Sequence, residues 1–142
     1  MLKGIPSLLS PELLKVMMEM GHGDTLVIAD GNFPGASMAK RLVRLDGHGA
    51  APLLDAMLAF FPLDTYVDCP VQLMEVVPGD PVETPIWDEY AAIVERHAPG
   101  AKIGRVERFS FYALAKEAYC VVQTGESALY ANVLLRKGVV GG

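Results

Sequence analysis

The sequence is poor in the residues that build cross-linked or metal-centred folds. It holds two cysteines, Cys69 and Cys120, far apart and with no Cys-x-x-Cys pair, and three histidines, no two of them at i, i+4. A disulfide framework needs more thiols and a zinc site needs closer ligand spacing, so neither is expected, and the cysteines read as small packing residues. Positive charge is also scarce: 12 Lys and Arg stand against 17 Asp and Glu, a net charge of −5, with no basic cluster. Nucleic acid and anionic membrane surfaces are bound through basic patches that displace counterions, so both are excluded as expected partners. No apolar run approaches the roughly 20 residues of a membrane helix, and Met1 to Pro6 is not followed by an uninterrupted apolar stretch of signal-peptide type. The expected location is the cytoplasm. Gly-x-Gly-x-x-Gly, P-loop, Gly-x-Ser-x-Gly and His-Glu-x-x-His patterns are missing too, which removes the common nucleotide, hydrolase and zincin signals.

What is present is apolar. Of 142 residues, 51% are hydrophobic, and a chain of this size buries roughly 70% of its unfolded surface, enough for one domain over residues 1–142 without staples. So much apolar surface in a short chain is most readily covered if part of it faces another copy, so a homo-oligomer is expected.

Ser10-Pro11-Glu12 predicts a helix start, because the hydroxyl caps free N–H groups, Pro fits the first turn and Glu complements the dipole. Leu13, Leu14, Val16, Met17 and Met20 continue at helical spacing, with Gly21 as the predicted stop. Residues 25–29 predict a buried strand that ends at Asp30. The remaining pattern predicts a loop over 31–37, a strand over 42–45, a turn over 46–49, a helix over 52–60 and a strand over 71–77. Beyond a Pro/Gly turn region, an amphipathic helix carries Ile86, Trp87, Tyr90, Ile93 and Val94 and closes at Pro99-Gly100. The last third predicts strands over 103–107, 119–123 and 132–135, with a helix over 111–118. Strands interleaved with helices of about ten residues indicate an α/β fold, a three-layer sandwich whose largely parallel sheet is flanked by helices.

Open α/β sheets bind ligands at the carboxyl ends of their strands, and two polar segments flank the first predicted strand. Gly21-His22-Gly23-Asp24 precedes it and Asp30 follows it. A histidine titrates near neutral pH and a carboxylate accepts hydrogen bonds from hydroxyls, so together they suit proton transfer on a polyol. A histidine in a Gly-rich turn also serves simply as a loop residue, and Asp24 as a turn cap. Arg108, at the end of the strand starting at Ile103, fits a surface ion pair or a sugar hydroxyl. Tyr130-Ala131-Asn132 places a phenol and an amide in a loop, where they can bind hydroxyls or form a turn. His48 and His97 have ordinary explanations in loop polarity and helix-dipole complementarity, and neither Ser37 nor Ser127 belongs to a nucleophile motif.

As an ordered set, Pro6 to Leu14, Met20-Gly21-His22-Gly23-Asp24, Asp30-Gly31-Asn32-Phe33-Pro34, Leu63-Asp64-Thr65-Tyr66, Glu107 to Tyr112, and Thr124-Gly125-Glu126 with Tyr130-Ala131-Asn132 resemble the ribose pyranase and fucose mutarotase family, in its fucose-acting branch. The resemblance runs from the N-terminus to Val139. It implies an isomerase without metal or organic cofactor that interconverts the anomers of a free monosaccharide. It also implies His22 as the acid/base residue, Asp30, Arg108, Tyr130, Ala131 and Asn132 as sugar-binding residues, and Asp24 in support. The family's ring-shaped homo-oligomers, often decamers, have the Tyr-x-Asn loop of one subunit completing its neighbour's site. Ribose pyranases carry a His where this chain has Arg108; Asn32 and Ala131 stand where relatives carry His and Gly. Pyranose–furanose interconversion of ribose, and non-catalytic sugar binding in monosaccharide uptake, are the alternative functions.

Overall fold

The structure, a computed structural model, describes residues 1–141. In chain order the elements are α1 (Pro11–Glu19), β1 (Thr25–Ala29), α2 (Gly35–Met38), β2 (Leu42–Leu45), α3 (Ala50–Leu58), β3 (Val71–Met74), α4 (Pro85–His97), β4 (Ile103–Val106), α5 (Arg108–Glu117), β5 (Cys120–Thr124) and β6 (Val133–Arg136). The six strands form one sheet in the order β2-β5-β1-β6-β3-β4. The β2–β5, β5–β1 and β3–β4 pairs are parallel, whereas β6 is antiparallel to both β1 and β3. Five strands therefore run one way and β6 alone runs back.

Alternating side chains of each strand feed two cores, as the pleat requires. Leu26 and Ile28 of β1 pack with Leu13, Leu54, Tyr90 and Val94 beneath α1, α3 and α4, while Val27 and Ala29 pack with Phe33, Phe111 and Ala115 beneath α5. That is the three-layer sandwich of the sequence pattern. β1 lies between β5 and β6, which makes every residue from Leu26 to Ala29 buried and explains its uninterrupted apolar run.

Several element ends differ from expectation, each for a local or long-range reason. α1 is capped by Ser10, whose hydroxyl accepts from Leu13 N at 3.2 Å, but it ends at Glu19, two residues before Gly21. The predicted loop over 31–37 gives way at Gly35 to the one-turn helix α2, which runs to Met38. α3 begins two residues ahead of Pro52, because Pro is tolerated in a first turn and the carboxylate of Glu126 caps Ala50 N at 3.0 Å from 76 positions away. β3 stops at Met74, where its partner β4 ends. Glu107 accepts from Phe109 N and Ser110 N and so starts α5 at Arg108, making Arg108 a helix residue and not a strand terminus.

The reversal of β6 is what positions the site. β5 ends and β6 begins at the same edge of the sheet, so the connection 125–132 passes over the carboxyl end of β1, which lies between them. Contact is close: Gly31 N donates to Glu126 O at 2.8 Å, and a Cβ at Gly125 would collide with the Asp46 carbonyl.

Candidate active site

Asp30 follows β1 directly and is 5% exposed. Its backbone is clamped from two sides, by β5 and by the connection just before β6: Asp30 N donates to Asn132 Oδ1 at 2.8 Å, and Gln123 Nε2 donates to Asp30 O at 2.6 Å. Its carboxylate accepts from Asn32 N at 3.0 Å. Burial raises the Asp30 pKa above the usual carboxylate value, and the backbone N–H groups of Asn32, Ala131 and Phe33 oppose that rise.

Around Asp30 opens a cleft of about 280 Å³ that Arg108, Tyr130 and Asn132 also line. Arg108 projects from the first turn of α5, and its Nε donates to the Tyr112 hydroxyl at 3.3 Å. Tyr112 in turn leans on Phe33, with ring centroids 5.7 Å apart. Asn132 spends its amide oxygen on Asp30 N, which leaves the amide nitrogen as a donor toward the cleft. Tyr130 is a non-glycine residue with φ +55, a left-handed conformation that costs on the order of 1 kcal/mol and persists only where neighbours impose it. Those neighbours are aromatic residues of α4: Trp87 Nε1 donates to Tyr130 O at 2.8 Å and the buried Tyr90 hydroxyl donates to Ala131 O at 2.6 Å. Ala131 itself is fully buried behind the cleft. Phe33, Met74 and Leu129 supply apolar wall. The cleft thus offers donors, acceptors and an apolar face, the mixture that a small polyhydroxylated ligand needs.

His22 and Asp24 are not in this cleft. The turn Gly21–Asp24 precedes β1, so it lies at the amino edge of the sheet, and β1 alone puts about 17 Å between Thr25 and Asp30 at ~3.4 Å per residue. The sequence expectation that His22 and Asp30 act together is therefore not met within one chain. Asp24 closes the turn, accepting from Gly21 N at 2.8 Å, and Gly23 adopts φ +86 while its N–H donates to Lys137 O at 2.8 Å.

The partner of His22 is Asp64, 42 residues on and 4% exposed. Asp64 Oδ1 lies 3.1 Å from His22 Nε2 and accepts from Tyr66 N at 3.0 Å. The Tyr66 N–H first, and His22 second, hold the Asp64 carboxyl below its usual range. An ionised carboxylate only accepts, so Nε2 donates in this contact and Nδ1 is the nitrogen left to exchange a proton with a ligand. The imidazole side chain is 44% exposed and rests against the Tyr66 ring at 5.3 Å between centroids. A base oriented by a carboxylate suits proton transfer to or from a bound ligand. A second cleft, of about 400 Å³, adjoins this pair through Asp64, Thr65 and Lys102.

Sequence reasoning placed Asp64 and Tyr112 in segments that carry the resemblance but gave them no role, and it did not single out Asp80. The spacing of Arg108 and Tyr112, four apart on one helix, is a signal for the second. Nothing local marks Asp64 as the partner of His22, or Asp80 as the acceptor for the Tyr130 hydroxyl at 2.7 Å.

Among the described residues no group of three or more His, Cys, Asp or Glu is arranged to hold a metal ion, and no helix is long and apolar enough to cross a membrane. Residues 3–140 match the sequence profile of the RbsD / FucU transport protein family. The chain is 50% identical to the human protein named fucose mutarotase, over 98% of this chain and 94% of that protein. It superposes on FucU from Bifidobacterium longum with a TM-score of 0.95 and 60% identity, covering 98% of this chain and 100% of the other. It superposes on the fucose mutarotase of Streptococcus pneumoniae, solved in complex with L-fucose, with a TM-score of 0.93 and 49% identity, covering 99% and 100%.

Proposed function

The chain belongs to the RbsD / FucU transport protein family, and from that premise we propose that it is a cofactor-independent mutarotase of the cytoplasm. Its reaction is the interconversion of the α and β anomers of L-fucose. Asp30, Arg108, Tyr130 and Asn132 hold the sugar hydroxyls, with the Ala131 backbone alongside, and His22 transfers the proton.

The observation that carries this reading is the division of the chemistry between two edges of one sheet. A polar cleft able to hold a monosaccharide sits at one end of the strands and holds carboxylates, an arginine and tyrosines but no histidine, and a carboxylate-oriented imidazole sits at the other end. Two copies joined edge to edge make one complete site, with the partner's His22 delivered to the cleft. Asn132 is bonded to Asp30 within the same chain, which supports a shared site in which the Tyr130–Asn132 loop stays with its own Asp30 and meets the neighbour's His22 turn. Tyr66 beside His22, and Phe109 and Leu129 around the cleft, are exposed apolar side chains that such a contact would cover. We infer a ring-shaped homo-oligomer, with a decamer as the size to test by analytical ultracentrifugation.

The chemistry needs no more than these residues. Nδ1 of His22 takes the proton of the anomeric hydroxyl and returns a proton to the ring oxygen as the C1–O5 bond breaks. The resulting aldehyde turns about C1–C2 and closes on its other face by the reverse transfer. Asp64 balances the charge of the transient imidazolium, and positioning of the hydroxyls keeps the open chain in place. General acid/base catalysis of this kind contributes typically ~10²- to 10⁴-fold.

The test is anomer exchange measured by saturation-transfer NMR on L-fucose with and without protein, with D-ribose alongside. Acceleration on L-fucose that disappears in His22→Ala is the expected result. Native exchange in that variant would overturn the role of His22, and no acceleration by the native protein would overturn the activity.

A further inference from the structure

We propose that Asp80 is a positioning residue of this site, one that fixes the place of the Tyr130 phenol and the direction of its hydrogen bond to the sugar; the inference rests on the monosaccharide reading above. Asp80 lies in the turn between β3 and α4, next to Gly79 at φ +88, and lines the cleft. Its Oδ2 accepts from the Tyr130 hydroxyl at 2.7 Å, and the backbone N–H of Val77 reaches the same phenol oxygen at 3.4 Å. Trp87 holds the other end of the residue through the Tyr130 carbonyl. The ring is therefore fixed at its tip by the turn and at its backbone by α4.

This arrangement decides the polarity of the contact. A carboxylate has no proton to give, so the phenolic O–H is spent on Asp80, and what the phenol presents to the cleft is a lone pair. Tyr130 consequently accepts from a sugar hydroxyl. The Asp30 carboxylate accepts as well, whereas Arg108 and the amide nitrogen of Asn132 donate. The cleft then reads a sugar as two hydroxyls that donate and two oxygens that accept. Without Asp80 the phenol proton is released, the ring can turn about its side-chain torsions, and Tyr130 offers the wrong partner to the same hydroxyl.

The experiment compares Asp80→Ala, Asp80→Asn, Tyr130→Phe and the Asp80→Ala/Tyr130→Phe double variant in L-fucose anomer exchange. Asp80→Ala and Tyr130→Phe should each raise KM about tenfold, the loss of one good hydrogen bond, with kcat within about threefold. The double variant should be no worse than Tyr130→Phe alone, since both remove one contact. The amide oxygen in Asp80→Asn can still accept from the phenol, so KM there should return to within about threefold of native. An unchanged KM in Asp80→Ala, additive effects in the double variant, or no rescue by Asn would each overturn the proposal. If the native protein fails to accelerate exchange, the mutarotase reading falls and Asp80 is judged on the phenol itself. The Asp80 hydrogen bond first, and desolvation second, raise the Tyr130 pKa above the ordinary phenol value. In an ultraviolet pH titration, read as the difference from each Tyr130→Phe counterpart, that pKa should fall in Asp80→Ala; an unchanged value would overturn the assignment.

Discussion

Two impaired variants should restore each other. A chain carrying His22→Ala keeps an intact cleft, and one carrying Arg108→Ala keeps an intact His22–Asp64 pair. Within a single chain the halves are separated by the length of β1, about 17 Å from Thr25 to Asp30, and the Gly21–Asp24 turn lies beyond that. Proton transfer works at hydrogen-bond distance, about 3 Å, and no side-chain rotation spans the difference. In oligomers assembled from equal amounts of the two variants, half the sites receive a native His22 and, independently, half hold a native Arg108, so about a quarter of all sites are whole. The assay is co-expression under two affinity tags, tandem purification so that only mixed oligomers remain, and NMR exchange on L-fucose. With sugar well below the native KM, His22→Ala alone should sit near the uncatalysed rate, Arg108→Ala alone at about a tenth of native or less, and the mixture near a quarter of native activity. Mixed oligomers no more active than their parents would refute the shared site, as would appreciable activity in the His22→Ala parent.

Three further outcomes follow from the geometry. Asp64→Asn can still accept from Tyr66 N but cannot balance an imidazolium, so kcat should fall at least tenfold with the fold retained; because the native carboxyl is held below its usual range, the stability it contributes should be complete above about pH 4 and lost as pH falls further, as thermal melts against pH would record. Burial raises the Asp30 pKa, so its charge opposes folding as pH rises through that elevated value; Asp30→Asn should match or exceed the native Tm at pH 7, lose that advantage toward pH 4, and bind L-fucose more weakly by calorimetry. Tyr90→Phe strips the buried Ala131 carbonyl of its donor, which should cost ~1–3 kcal/mol in denaturant unfolding and raise KM through the displaced Tyr130–Asn132 segment.

Wherever the determinants were local, the sequence carried them. The Ser10-Pro11 start of α1, the run Thr25–Ala29 and the stripe Ile86, Trp87, Tyr90, Ile93, Val94 are each set by the backbone needs or periodicity of one segment, and each appears as read. Element ends were less legible where the cap came from afar, as at α3, where Glu126 sits on Ala50 N. The site residues Asp30, Arg108, Tyr130 and Asn132 were visible as polar side chains at strand ends and loops, and the fold brings all four to one cleft.

What the sequence alone determined, then, is a set of segments and the chemistry they carry: an α/β sandwich, a polar cluster fit for hydroxyls, and a histidine fit to move protons. Tertiary structure alone decided which of these meet. The direction of β6 sends Tyr130–Asn132 back over the end of β1, and the length of β1 keeps the His22 turn away from that cleft in the same chain. Asp64 reaches His22 across 42 residues and Asp80 reaches Tyr130 across 50. Such pairs are fixed by strand order and register, which depend on every element packing at once, and hydrophobic periodicity within a segment carries no record of them.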